Sequence, residues 1–483
     1  MAQIHLLLTD GRIFLKNILI SGGYSYLSQF IAFAASLITS RLLLPEYFGL
    51  VGLITVFSGF IGIFADSGLS HALIRTNYSN RYTHALHYIS VIFGIILCFI
   101  TALLAYPIAL FYNNSFLLWP TIIMGFVFIP KTLSIVPGAM LQKEMRFNEL
   151  GLGSLIYTLV VVFFTVVFAL AGFEHWAIVL PQIIGTFVQY RWLTSRVSFK
   201  GKEMTKPQLI ASFRVTKSLI TSITGFNFIN YWSRNADNLL VGKFYGTHDL
   251  GIYNRAYSLL LLPLSLITGL FSAVMYPTLV RMKKKTGSYQ NEYYRILKII
   301  SLLNFPVGLV LILIPTWFVN LLWGENWIEV ASLLPYFGLL IFSQSLISTI
   351  GHVLILEGRE RLLMYSGWVS AVFLVGGIFY GVIHSLIATA AWYSFVFVTL
   401  IFSYNILIFF KELKHAARYI IGFWLPKYIL SVLIWVGIFF DIPAVVYVSL
   451  LGYFAHLLGN TYVELISFWK ASTECIQTKF INF

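Results

Sequence analysis

Only 10% of the 483 residues are charged, so the charges embedded in long apolar runs carry most of the chemical information in this chain. The stretch "YWSRNADNLLVGK", Tyr231 to Lys243, sets Arg234 and Asp237 at the far end of the apolar run Leu219 to Tyr231. Spaced i and i+3, the two can face the same way on a helix and partly neutralise each other. Arg255 follows early in the next run, and Arg41 closes the first one. Together these residues form a basic ring, short of one balancing acid. Lys131 lies deepest, in "FVFIPKTLSIVPGAM". There Pro130 and Pro137 leave backbone carbonyls unpaired, a break tolerated where neighbouring helices or water satisfy them. A basic side chain near the centre of a bilayer costs about 2.5 to 3.5 kcal/mol on insertion scales, so each such residue needs a reason. The chemistry that suits Lys131, Arg234, Arg255 and Arg41 is electrostatic: cationic ligands for an anion in a wet cavity. Plainer readings stay open. Arg41 and Lys243 suit interfacial anchors, and Lys131 can snorkel or pair with a buried acid. Asp66, in "FADSGLSHALIR", can pair with Arg75; Asp66 and Asp237 are the membrane acids available for ion coupling.

No constellation for covalent chemistry accompanies these charges. The chain lacks G-x-x-x-x-G-K-[ST]; "VGKF" at Val241 to Phe244 misses both the glycine spacing and the hydroxyl. It also lacks G-x-S-x-G and H-E-x-x-H. His84 and His87 share a helix face without a third ligand, so neither a metal nor another cofactor is expected. Cys98 and Cys475 are poorly placed to pair. Short loops on one side leave no platform for an enzyme site, so the chain is not expected to be an enzyme.

The elements that must position the charges are membrane helices. The chain is 59% hydrophobic with a mean hydropathy of +0.83, more apolar surface than one soluble core can hide. A spanning helix needs about 20 mostly apolar residues, and the sequence predicts fourteen runs: 18–44, 48–70, 86–111, 116–140, 152–171, 175–193, 218–242, 250–279, 299–322, 330–356, 363–382, 385–409, 419–440 and 443–468. Assigning the 32 Lys and Arg to alternate sides puts 27 on one side, with Lys427, inside run thirteen, counted among the cations around the junction of runs twelve and thirteen. The positive-inside rule then places both termini in the cytoplasm. The same tally disposes of nucleic acid as the partner of the +14 net charge; "RMKKK" at Arg281 to Lys285 belongs with loop anchors beside anionic headgroups. The opening "MAQIHLLLTDGRIFLK" is too short in its apolar part for a cleavable signal and reads as an interfacial segment, 1–16.

Two internal resemblances point to a duplication. "RLLLPEYFGLVGL" from Arg41 matches "NLLVGKFYGTHDLGIYN" from Asn238, and "SIVPGAMLQKEMRFNELG" from Ser134 matches "STIGHVLILEGRERLLMYSG" from Ser348. The expected organisation is an N-lobe at 17–200, a basic linker at 201–217, a C-lobe at 218–410, two peripheral helices at 411–470 and a tail at 471–483. "GIFYG" at Gly377 to Gly381 is a close-packing signal.

The segments "LPEYFGLVGLITVFSGFIGIFADSGLSHALIR", "VPGAMLQKEMRFNELG" and "RNADNLLVGKFYGTHDLGIYNRAYSLLLLPLSLI" resemble the polysaccharide transporter branch of the multidrug/oligosaccharidyl-lipid/polysaccharide (MOP) superfamily, the Wzx-type lipopolysaccharide biosynthesis flippases. Matching positions are Arg41, Pro45, Phe48 and Gly49 in the first lobe and Arg234, Asp237, Gly251 and Tyr253 in the second. The resemblance implies an all-α, MATE-like fold of two six-helix bundles plus two C-terminal helices. It implies export of undecaprenyl-pyrophosphate-linked oligosaccharides across the bacterial inner membrane by alternating access, with Lys131, Arg234 and Arg255 able to supply a cationic cavity. The implied partners are the lipid-linked oligosaccharide, membrane lipids, a polymerase and other glycan-assembly membrane proteins. Two other readings compete: a membrane O-antigen polymerase or ligase, against which the short outer loops argue, and a MATE-type small-molecule exporter. For cationic drugs the latter calls for a cavity rich in acids rather than bases.

Overall fold

The computed structural model of the chain describes residues 2–65, 70, 73, 80–197 and 206–481, which are mostly helical with no strand among them. That outcome follows from the solvent. In hydrocarbon a backbone N–H or C=O has no water to bond, so a chain of this hydropathy satisfies each one within its own helix. Eleven helices among the described residues are long and apolar enough to cross a bilayer. Most of the expected runs 18–44 and 175–193 is also helical, as parts of Ala2–Leu42 and Trp176–Ser195. Runs 218–242 and 250–279 are joined through Lys206–Pro263, which bends at Gly246, where φ is 83°. A left-handed backbone there favours glycine because it has no Cβ to clash.

The proline-interrupted span breaks as its sequence demands, into Leu118–Gly125, Phe128–Leu133 and Ile135–Lys143. Hydroxyls bond back onto carbonyls of this broken stretch: Ser134 Oγ donates to Pro130 O at 2.7 Å and Thr132 Oγ1 to Ile129 O at 3.1 Å.

The fold divides into two compact units, Met1–Gly251 and Ile252–Phe483. In the first, Ala2–Leu42 packs along Phe147–Leu170, which also pairs with Trp176–Ser195, while Asn80–Phe111 packs against the broken span. In the second, Gln290–Leu313 pairs with Leu334–Ile347. Leu425–Phe439 pairs with Pro443–Ile481 and also packs against Leu334–Ile347 and Leu386–Phe395. The "GIFYG" signal is a close approach: a Cβ on Gly377 would lie 2.6 Å from Val396 Cγ2, and one on Gly381 2.7 Å from the Ala388 carbonyl oxygen.

The segments around Ser134 and Ser348 end their helices in the same hydrogen-bonded turn, one that also closes helices at 108–114, 167–173 and 436–442. At one junction Glu144 N bonds Met140 O, Met145 N bonds Gln142 O and Arg146 N bonds Leu141 O. At the other, Glu357 N bonds Val353 O, Gly358 N bonds Ile355 O and Arg359 N bonds Leu354 O, the same three bonds 213 positions on. The central residue is left-handed in both, Met145 at φ 58° and Gly358 at φ 66°. Arg146 bonds both Glu144 and Glu149, at 2.9 and 2.5 Å, and Arg359 lies 3.5 Å from Glu412. Thus each junction carries an arginine braced by carboxylate.

A second pair of equivalent segments touches directly. A Cβ built on Gly49 would stand 1.6 Å from the Thr247 carbonyl oxygen, and one on Gly251 would stand 2.0 Å from the Pro45 carbonyl oxygen. Gly49 and Pro45 become Gly251 and Thr247 on adding 202, so each contact is the image of the other under exchange of these two segments. Such backbone-on-backbone packing requires glycine.

His415, in the loop between Leu386–Glu412 and Ala417–Phe439, is 3% exposed. Tyr289 Oη lies 3.0 Å from its Nε2 and Tyr294 Oη 2.9 Å from its Nδ1, while Trp424 Nε1 donates to Tyr294 Oη at 2.9 Å. A neutral imidazole donates through one nitrogen and accepts through the other, which this pair of hydroxyls matches; an imidazolium has no acceptor left. Burial pushes His415 down from 6.5 to about 4. The unfolded chain therefore binds the extra proton first, so this contribution is complete above pH 6.5 and is lost as pH falls towards 4. At about 1.4 kcal/mol per pH unit the loss is about 3 kcal/mol. Melting temperatures of the purified protein at pH 7.5 and pH 5 check this: the drop is expected to shrink in His415→Gln, and an equal drop in both proteins would refute the assignment.

Candidate functional site: a cationic face

The residues singled out from sequence do not all share one environment. Lys131 is exposed, on Phe128–Leu133, and reaches over the Pro45–Ala65 helix at Gly62, where an added Cβ would lie 3.4 Å from its Nζ. One turn earlier on that helix, Gly59 makes room for Tyr231, whose hydroxyl donates to Val56 O at 2.5 Å. Phe60, between the two glycines, packs against Tyr231 and Trp232 at ring separations of 6.0 and 4.9 Å. Arg234 follows Tyr231 by three residues and is exposed. The fold thus brings Lys131 and the turn carrying Arg234 to one helix of the first unit. Sequence reasoning missed Gly59, Gly62 and Tyr231. The signal available was two glycines three apart in "FSGFIGIF", the spacing that opens one face of a helix.

Asp237 is 3% exposed, and its Oδ1 accepts from the Asn238 amide at 2.8 Å. Arg41 is exposed in the last turn of Ala2–Leu42. Arg255 belongs to the second unit, half-buried with its guanidinium 5.7 and 5.3 Å from the rings of Trp323 and Trp327, and both indoles are buried. Lys243 donates to the Phe111 carbonyl and lies 4.7 Å over the Phe111 ring, the behaviour of an anchor. Asp66 and its candidate partner Arg75 lie outside the described residues.

Lys427 is a correction. The charge tally places it among loop cations, yet it lies in Leu425–Phe439 and is 1% exposed. Its ammonium is 4.7 Å from the Phe423 ring and 5.0 Å from the Tyr453 ring. The signal is present in the sequence, since the run 419–440 contains this lysine; its position near Lys411, Lys414 and Arg418 hides it.

These features make an α-helical membrane protein with cations set among its helices, some of them beside aromatic rings. The profile of the family described as polysaccharide biosynthesis protein matches residues 38–332. The chain belongs to that family. This polysaccharide biosynthesis family member is 26% identical over 403 residues to the lipopolysaccharide biosynthesis protein WzxC of Escherichia coli strain K12, covering 81% of this chain and 80% of that protein. Among solved structures, the lipid II flippase MurJ in an inward closed conformation superposes with a TM-score of 0.67 at 12% identity, covering 92% of this chain and 100% of MurJ. An inward-facing multidrug resistance MATE transporter of the MOP superfamily superposes at 0.57 and 15% identity, covering 76% of this chain and 90% of that one. The expected kinship with Wzx-type proteins and the MOP-superfamily fold is met.

Proposed function

We propose that this multi-pass membrane protein is a flippase that moves an undecaprenyl-pyrophosphate-linked oligosaccharide from the cytoplasmic to the outer leaflet of a bacterial inner membrane, for assembly of O-antigen, capsule or exopolysaccharide. The difficulty in flipping such a lipid is its head, since sugars and a pyrophosphate cannot cross hydrocarbon unaided. A wet cationic cavity opened to each side in turn replaces part of the head's hydration while the polyprenyl chain stays in lipid. The observation that carries the reading is the convergence of Lys131 and the Tyr231–Arg234 turn on Gly59 and Gly62 of one helix, in a chain of this family. Arg255 and Arg41 complete the proposed cationic set, Asp237 and Asp66 the candidate charge-pair or coupling acids.

In this reading fourteen helices span the bilayer, both termini are cytoplasmic, and the protein is a transporter rather than an enzyme. Two uncompensated negative charges moving outward gain about 4 to 5 kcal/mol per 100 mV from the membrane potential, so ion coupling is not obligatory. A polymerase alternative is separated by what accumulates without the protein: cytoplasmic-face lipid-linked units for a flippase, single translocated units for a polymerase. In proteoliposomes, Lys131→Ala and Arg234→Ala are each expected to slow transbilayer movement of a lipid-linked oligosaccharide by about tenfold or more, the scale of a lost charge-assisted contact. Arg255→Ala and Arg41→Ala complete the series. Wild-type rates in all four, at normal expression, would remove the site assignment.

A further inference from the structure

The helix Gly269–Thr286 sorts the cations of "RMKKK" onto two faces. Lys283 turns into the second unit, 2.9 Å from Glu357 and 5.9 Å over the Tyr289 ring. Arg281, Lys284 and Lys285 are exposed and make no ion pair with any described residue. With Tyr276, Pro277 and Val280 they line a concavity of about 710 Å³. Residues four apart share a helix face, so 276, 280 and 284 run beside 277, 281 and 285. The face is graded along its axis. Tyr276, Pro277 and Val280 form an apolar half, and the three cations a basic half, over a rise of about 13 Å at 1.5 Å per residue. No acid is among the described lining residues.

That gradient fits an amphiphile with an anionic head and an apolar chain. Cations at a helix C-terminus complement its dipole, which accounts for charge at this end but not for the concavity or its apolar half. Three neighbouring cations repel one another, and the ligand that relieves this is multivalent. A diphosphate carries two or three negative charges, whereas a phosphatidylglycerol headgroup carries one.

We propose that this face is a docking site for the diphosphate of a polyprenyl-linked cargo, with the first carbons of the chain lying along Tyr276 and Val280. The proposal rests on the flippase reading above. Lys283, tied to Glu357, holds the helix in place and takes no part in the docking.

The test uses the full chain in nanodiscs of zwitterionic lipid, with undecaprenyl diphosphate as the probe and native mass spectrometry as the readout. The triple variant Arg281→Gln, Lys284→Gln, Lys285→Gln is expected to bind about tenfold more weakly or worse, with an unchanged melting temperature because all three side chains are exposed. Arg359→Gln with Arg361→Gln is the control for lost positive charge elsewhere on the second unit and is expected to bind as wild type. The double variant Lys284→Gln, Lys285→Gln serves if the triple variant does not fold. Unchanged binding in the triple or double variant overturns the proposal. So does equal displacement of the probe by phosphatidylglycerol at the same concentration, the mark of a general anionic-lipid patch. Probe binding that depends on the three cations, in a protein that moves no lipid-linked oligosaccharide in proteoliposomes, sustains the site and sinks the flippase reading instead.

Discussion

Gly49→Ala is expected to leave little folded protein in the membrane. The new methyl group would stand 1.6 Å from the Thr247 carbonyl oxygen, 2.6 Å from its carbon and 2.8 Å from the Gly251 nitrogen. All three are backbone atoms, so no side-chain rotation relieves the clash, and one of two helices must move. Overpacking a well-packed site costs about 1 to 3 kcal/mol, and here the obstacle is less yielding than a side chain, so about 3 kcal/mol or more is expected. Because the contact is reciprocal, Gly251→Ala is expected to do the same, with its methyl 2.0 Å from the Pro45 carbonyl oxygen. Gly367→Ala is the control, since nothing lies within 4 Å of its added Cβ, and alanine there favours the helix by about 1 kcal/mol. Fluorescence-detected gel filtration and melting temperatures in detergent decide the matter. Gly49→Ala and Gly251→Ala proteins that melt with wild type would show that the two segments do not meet as described.

Lys427→Met has the opposite expected sign: a stabilised protein. The lysine is 1% exposed within a spanning helix. No carboxylate among the described residues forms an ion pair with it. Its favourable contacts are the faces of Phe423 and Tyr453 at 4.7 and 5.0 Å, each worth about 0.5 to 2 kcal/mol. Against them stands a charge in hydrocarbon, about 2.5 to 3.5 kcal/mol, together with the like charge of Lys298 acting on it. Methionine matches the stem of lysine and leaves no polar atom. Replacing even a buried ion pair by apolar groups of similar volume is often neutral or stabilising by about 1 to 4 kcal/mol, and here no carboxylate partner would be left behind, so the melting temperature is expected to rise. A fall of several degrees in Lys427→Met would mean that the ammonium is held by something other than the two rings. Should the stabilised variant also lose transport, the cost of the buried lysine is being borne for function.

Much of the fold was legible because hydropathy and backbone chemistry leave few options. Apolar runs of about 20 residues favour helices in a bilayer, and the described residues of the expected runs are mostly helical, with breaks such as those at 126–127 and 134. The bend at Gly246 within Lys206–Pro263 was not read from the sequence.

The site was legible only in part. Composition flagged Lys131, Arg234 and Arg255 because any cation in an apolar run stands out. It could not tell that Lys131 meets a helix at Gly62 while Arg255 lies over two indoles. Those are contacts between segments far apart in the chain, and no local periodicity encodes them. Lys427 shows the same limit from the other side, since a lysine near three basic neighbours looks like a loop anchor until packing buries it. The sequence by itself determined that the chain spans a membrane, folds as helices and carries costly internal cations, because hydrocarbon penalises charge and unpaired backbone regardless of neighbours. Only the tertiary structure decided which cations are exposed, which lie against aromatic rings and which glycines let two backbones touch, because those outcomes depend on what each helix face meets.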